Sequence, residues 1–164
     1  MSGVEDADAR PTVYVETSVI SYLVARPSTD LVVRANQKIT TDWWFTRNRF
    51  VLVVSQLVID EISGGDPEYA AKRLAAAHGL PLVDDSEQVA RLAETLLRRA
   101  SLPAKAAGDA VHVAIAAVNG IDFLVTWNLR HIANAVIRRR LETICRAEGF
   151  DPPNICTPAE LLEE

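Results

Sequence analysis

Short β-branched runs without polar alternation recur along the chain, and stretches with helical spacing separate them. TVYVE (12–16) and FVLVVS (50–55) present no alternating polar face, as strands covered on both sides require. LPLVD (80–84), DFLVT (122–126) and NICT (154–157) make three more, so five strands are expected. Asp30 caps a helix whose apolar stripe reads Leu31, Ala35, Ile39, Trp43. Asp66-Pro67 opens another with a capping acid and a proline in the first turn, and Gly79 closes it. Ser86 begins a third, with Val89, Leu92 and Leu96 facing inward. The stretch 105–120 is a small-residue helix, 134–148 an amphipathic, arginine-rich one, and Thr157-Pro158 starts a short terminal turn. Strands alternating with helices give an α/β chain with a mostly parallel sheet wrapped on both faces.

The 164 residues suffice for one domain, read here as 11–164 behind a flexible, mostly acidic 1–10 segment. That segment has no basic start or long apolar region of a signal peptide. No apolar run approaches the ~18 residues of a membrane span. Cys145 and Cys156 lack metal-type spacing and read as core thiols of a reduced, cytoplasmic protein. A net charge of −5 argues against a broad basic surface for nucleic acid, so any such binding is local. The arginine clusters 47–49, 98–99 and 138–140 read as solvated faces.

Against this background four polar positions stand out. Glu16 ends the first strand, Glu61 follows the second in SQLVIDEI, Asp109 lies in GDAVHVAIA, and Asn128 follows the fourth in LVTWN. The carboxyl ends of parallel strands are where open α/β sheets bind ligands. Glu61 shares a helix face with Leu57 and Val58, and Asp109 shares one with His112, Val113 and Ala116. An acid on an apolar face needs a partner, because an unpaired buried carboxylate is costly. Two carboxylates 4 Å apart repel by roughly 1 to 4 kcal/mol, and a divalent cation reverses the sign. Mg²⁺ or Mn²⁺ takes such oxygen ligands and activates water. Each acid also has an ordinary reading: Glu16 as a helix cap, Glu61 as an arginine partner, Asp109 as a first-turn acid. Thr17, Ser18 and Thr126 are placed to orient a carboxylate or water, and Arg130 and His131 to approach a phosphate. His112 and His78 have no metal-type companion.

At these residues the chain resembles the PIN-domain nucleases, in particular the VapC branch of bacterial toxin–antitoxin pairs. ETSVI (16–20) is similar to the opening D-T-[NS]-[VI] of that family, SQLVIDEI places its second acid, DAVHVAIAA (109–117) its third, and GIDFLVTWN the closing T-x-[DN]. The resemblance covers nearly the whole chain. It implies a three-layer α/β/α sandwich with a five-stranded, mainly parallel sheet, and cleavage of RNA dependent on Mg²⁺ or Mn²⁺. Glu16, Glu61 and Asp109 would be its metal ligands and Asn128 a fourth catalytic position. It also implies a homodimer, for which the Trp43-Trp44 helix offers apolar surface, and a small antitoxin partner. Two departures mark the chain: Glu16 where Asp is usual, and the neutral Asn128 where many relatives carry Asp. Both favour an alternative, a catalytically weakened PIN-fold module that binds RNA or protein.

Overall fold

In the computed structural model, which describes residues 9–162, four parallel strands form one sheet. They are β1 (Thr12–Val15), β2 (Val51–Val53), β3 (Phe123–Val125) and β4 (Asn154–Cys156), in the order β2-β1-β3-β4. Register is set by Tyr14 opposite Val53 on one side and Leu124 on the other, and by Leu124 opposite Ile155. Val13, Tyr14, Val15, Leu124, Val125 and Ile155 are fully buried, which accounts for their unbroken apolar runs.

Seven α-helices surround the sheet among the described residues: α1 (Thr17–Val24), α2 (Leu31–Phe45), α3 (Gln56–Ile62), α4 (Pro67–Ala77), α5 (Glu87–Arg99), α6 (Ala107–Val118) and α7 (Ala135–Ala147). Helix α1 packs on α2, α3 and α4, whereas α5, α6 and α7 pack on one another. Two helical groups about one parallel sheet fit a three-layer α/β/α arrangement. The expected helix starts at Asp30, Asp66 and Ser86 are caps that each accept backbone N–H bonds at the start of α2, α4 and α5, and Asn134, expected as the first residue of its helix, caps α7 in the same way. Gly79 takes φ +81° just past α4, a left-handed conformation that a side chain would strain.

Two expectations are corrected. The run 80–84 is not a fifth strand; it contributes one parallel bridge, Leu82 to Val54. Pro81 has no N–H to donate, so its carbonyl accepts from Val54 N at 3.0 Å and Val83 N returns one bond at 2.9 Å. Leu82 is 54% exposed, so no burial extends the pairing. The stripe on α2 is also different. Steps of four residues drift by about 40° each on a 3.6-residue helix, so four such positions cannot stay on one face. Leu31 is 80% exposed while Thr40 and Trp43 are buried, which is the 3/4 alternation of an inward face. Trp43 is therefore core, Trp44 is half-buried against it, and the apolar surface α2 leaves open belongs to Leu31, Val32 and Phe45.

Both cysteines are buried and free, and burial pushes their thiols up, to about 11 for Cys145 and about 12 for Cys156. They are inert core groups. No helix among the described residues is long and apolar enough to cross a membrane. Residues 1–8 of the N-terminal segment lie outside the described residues.

Candidate active site

After β1 the chain turns to β2 on one side of the sheet, and it reaches β3 only later on the other side. The switch point therefore lies between the carboxyl ends of β1 and β3, which is the crevice position for ligands in such sheets. Glu16 follows β1 and Thr126 follows β3, and Glu16 N donates to Val125 O at 3.1 Å.

Glu16 is 6% exposed and serves as N-cap of α1, its Oε2 accepting from Ser18 N at 3.0 Å. The cap reading is thus correct, and incomplete. The same Oε2 accepts from the Ser18 hydroxyl and from Thr126 Oγ1 at 2.8 Å. Ser18 Oγ in turn accepts from Trp127 N at 2.9 Å, and Thr126 Oγ1 from Asn128 N at 2.9 Å. A cap needs only the first of these bonds. The others clasp the end of β1 to the end of β3 through one carboxylate oxygen, and Oε1 accepts no hydrogen bond among the described residues.

Asp109 lies in the first turn of α6, half-buried. Burial pushes its carboxyl above the ordinary range, the hydrogen-bonding Asn128 side chain pulls it back, and the charge of Glu16 pushes it up again. The imidazoles of His112 and His131 act in the opposite sense. Asp109, Glu16, Asn128 and His131 thus share one neighbourhood. Asn128 Oδ1 also accepts His131 N at 3.1 Å, which shapes the loop after β3. Arg130 in that loop is exposed. Beside it Trp127 stacks on Tyr22, with ring centres 5.8 Å apart, and donates through Nε1 to Thr40 Oγ1 at 2.7 Å.

Glu61 is on α3 and is held differently. Its Oε1 accepts from Thr17 Oγ1 at 2.8 Å and pairs with His112 Nε2 at 2.6 Å, so its partner is a histidine and not an arginine. Its side chain is 38% exposed, that of His112 only 1%. Burial pushes Glu61 up, but the His112 hydrogen bond, with the Thr17 hydroxyl, outweighs it and holds the carboxyl below the ordinary range.

The hydroxyl residues Thr17, Ser18 and Thr126 each hold one of the two glutamates, as expected of groups that orient a carboxylate. Tyr14 and Ser55 are a polar pair that sequence reading missed. A tyrosine inside an aliphatic strand is the available signal, since a buried phenol needs a partner. Tyr14 OH lies 2.7 Å from Ser55 Oγ and 2.7 Å from His112 Nδ1.

Among the described residues no group of three or more His, Cys, Asp or Glu side chains is arranged to hold a metal ion. Glu16 and Asp109 sit together and Glu61 stands with His112. The donors nevertheless suit a hard divalent cation in kind: two carboxylates, an amide and hydroxyls, with no sulfur. Neither Glu16 nor Asp109 has a Lys or Arg ion-pair partner among the described residues. The chain matches no protein-family model and no curated protein.

Proposed function

We propose that the chain is a metal-dependent endoribonuclease of PIN type, similar to VapC toxins, acting at the crevice between β1 and β3. One observation carries this reading. Glu16 and Asp109 lie together at the switch point of a parallel sheet, each charge opposing the other, without a Lys or Arg to neutralise them among the described residues. Such a pair costs stability that a bound cation returns.

Glu16 and Asp109 would hold Mg²⁺ or Mn²⁺, with Glu61 as the third acid and the Asn128 amide as a neutral ligand or water-holder. When bound, the ion would lower the pKa of a water and offset phosphate charge. The chain's own groups supply orientation. Ser18 and Thr126 fix one oxygen of Glu16, leaving the other for the ligand, and Thr17 does the same for Glu61. Arg130 and His131, in the loop after β3, would meet the RNA phosphate. Assembly as a homodimer through the exposed apolar side chains of α2, neutralisation by a small antitoxin, and a cytoplasmic setting belong to the same reading.

Cleavage of a mixed-sequence RNA with Mn²⁺ tests it. Asp109→Asn and Glu16→Gln should each abolish cleavage in folded protein, and cleavage at the parent rate in both would remove the assignment. The second reading, a PIN-fold module that binds RNA or protein without efficient catalysis, is favoured by the lack, among the described residues, of three or more acids or histidines arranged to hold a metal ion. RNA binding without Mn²⁺ binding at low millimolar metal would select it.

A further inference from the structure

Behind Glu61 lies a polar network whose centre is buried, and Tyr14, Ser55 and His112 in it carry no role so far. It runs Ser55–Tyr14–His112–Glu61–Thr17, through β1, α3, α6 and α1. Tyr14 is fully buried and His112 is 1% exposed. Their rings meet edge-on at 5.7 Å. Buried polar groups of this size are costly unless each one is satisfied.

The directions of the bonds follow from the donors available. Ser55 Oγ accepts Val58 N at 3.3 Å as the N-cap of α3 and lies 2.7 Å from the Tyr14 oxygen. With His112 neutral and its proton on Nε2, Nδ1 is an acceptor, so Tyr14 donates to it and takes the Ser55 hydrogen on its own oxygen. An ionised Glu61 has only lone pairs to offer, so His112 Nε2 carries the proton shared with Oε1. Rotating the imidazole by half a turn would put carbons where both nitrogens bond. Tyr14 therefore fixes the ring, and the ring fixes Glu61.

We propose that Tyr14 and His112 are positioning residues for Glu61: they pin its Oε1, so that the second oxygen, which accepts no hydrogen bond among the described residues, is the one presented to a ligand. This rests on Glu61 belonging to the proposed site. The relay begins at the N-cap of α3 and ends on Glu61 in the same helix, so it sets the rotation of α3 as well as the side chain. Thr17 donates to that same Oε1 from the first turn of α1, the helix that Glu16 caps, and so links the two glutamates.

The test has two arms. In metal-free protein, nitrogen-edited NMR should show the His112 Nε2–H as a slowly exchanging, hydrogen-bonded proton. Tyr14→Phe, which keeps the ring and removes the hydroxyl, should raise its exchange rate by an order of magnitude or more. An Nε2–H that exchanges at the solvent rate in the parent protein, or that is equally protected in Tyr14→Phe, overturns the relay. This arm does not depend on metal or RNA. In the second arm, calorimetric Mn²⁺ titration should show affinity falling roughly 10- to 100-fold in His112→Leu and Tyr14→Phe, as for groups that orient metal ligands. His112→Gln, which keeps a donor at that reach, should recover most of the loss. Parent-like affinity in folded Tyr14→Phe, or no recovery in folded His112→Gln, overturns the positioning role. A parent protein that binds no Mn²⁺ defeats the metal-site reading, and with it the role given to Glu61, while the first arm still decides whether the relay exists.

Discussion

Replacing Thr126 by valine isolates the clasp between the two central strands. The substitution conserves volume at a fully buried position, so no cavity forms and only the hydroxyl is lost. Two short bonds go with it, the one donated to Glu16 Oε2 at 2.8 Å and the one accepted from Asn128 N at 2.9 Å, together with a long contact to Ser18 Oγ at 3.4 Å. A hydrogen bond to a charged group contributes about 1.5–3 kcal/mol, and a backbone N–H left without an acceptor costs about 1–3 kcal/mol. Ser18 still supplies two donors to the same oxygen, which places the Glu16 part at the low end. The expected destabilisation is therefore about 3 kcal/mol. For a chain of this length that corresponds to a fall in Tm of about 6–12 °C. Urea unfolding at neutral pH should show the midpoint shifting with unchanged slope. Thr126→Ser should recover most of the loss, because it restores the hydroxyl. In a double-mutant cycle with Glu16→Gln the two losses should not add. A destabilisation under about 0.5 kcal/mol, the range of an ordinary surface change, would show that the clasp holds neither strand end and that Glu16 is a helix cap alone.

Asp109→Asn should stabilise the metal-free protein while removing its Mn²⁺-induced rise in Tm. Burial and the charge of Glu16 raise the folded-state pKa of Asp109 above its ordinary value of 3.8, so its ionised form costs stability at neutral pH. The parent protein should regain that stability as pH falls through the raised value toward 3.8, and the variant should not; parallel pH profiles would refute this. Glu61 has the opposite sign. Its folded-state pKa lies below 4.5, so its contribution is present above 4.5 and is lost as pH falls through the depressed value; Glu61→Gln should flatten that limb of an acid-unfolding curve. Phe45→Ser, at a side chain 77% exposed, should change monomer stability by under about 0.5 kcal/mol. In sedimentation it should weaken self-association if α2 forms the homodimer contact, and an unchanged dimer would exclude Phe45 from it.

Features with local causes were legible in the sequence. Asp30, Asp66, Ser86 and Asn134 bond to backbone groups two or three residues away, and each cap lies where the residue types place it. The four strands were legible because burial on both faces leaves continuous β-branched runs. The run 80–84 contains its own sign of a broken ladder in Pro81, whereas the exposure of Leu82, which leaves the pairing at one bridge, is in no window of sequence. The relay is the clearest case of what stays hidden. Tyr14 meets Ser55 across 41 residues and His112 across 98, and His112 meets Glu61 across 51. His112 looked companionless because its companions belong to other elements. Glu16 looked ambiguous between cap and site, and one oxygen serves the cap while joining the clasp.

The order β2-β1-β3-β4 has a consequence for how the chain is made. Strand β1, made before the other three described strands, is central, and one of its two edges is completed only by β3; Glu16 and Thr126, which mark the joined ends, are 110 residues apart. At the usual pace of synthesis the ribosome needs about 5–20 s to cover that distance. Throughout that interval the β1–β2 hairpin-free pair, with α1 to α4, presents an unsatisfied strand edge and the apolar face that α5 and α6 will cover. Both are surfaces on which chains aggregate. Loop closure over such a separation also slows the search once the chain is free. The same connectivity that opens a crevice at the switch point makes the nascent segment before β3 a natural client for chaperones, and the crevice cannot form until Thr126 has emerged.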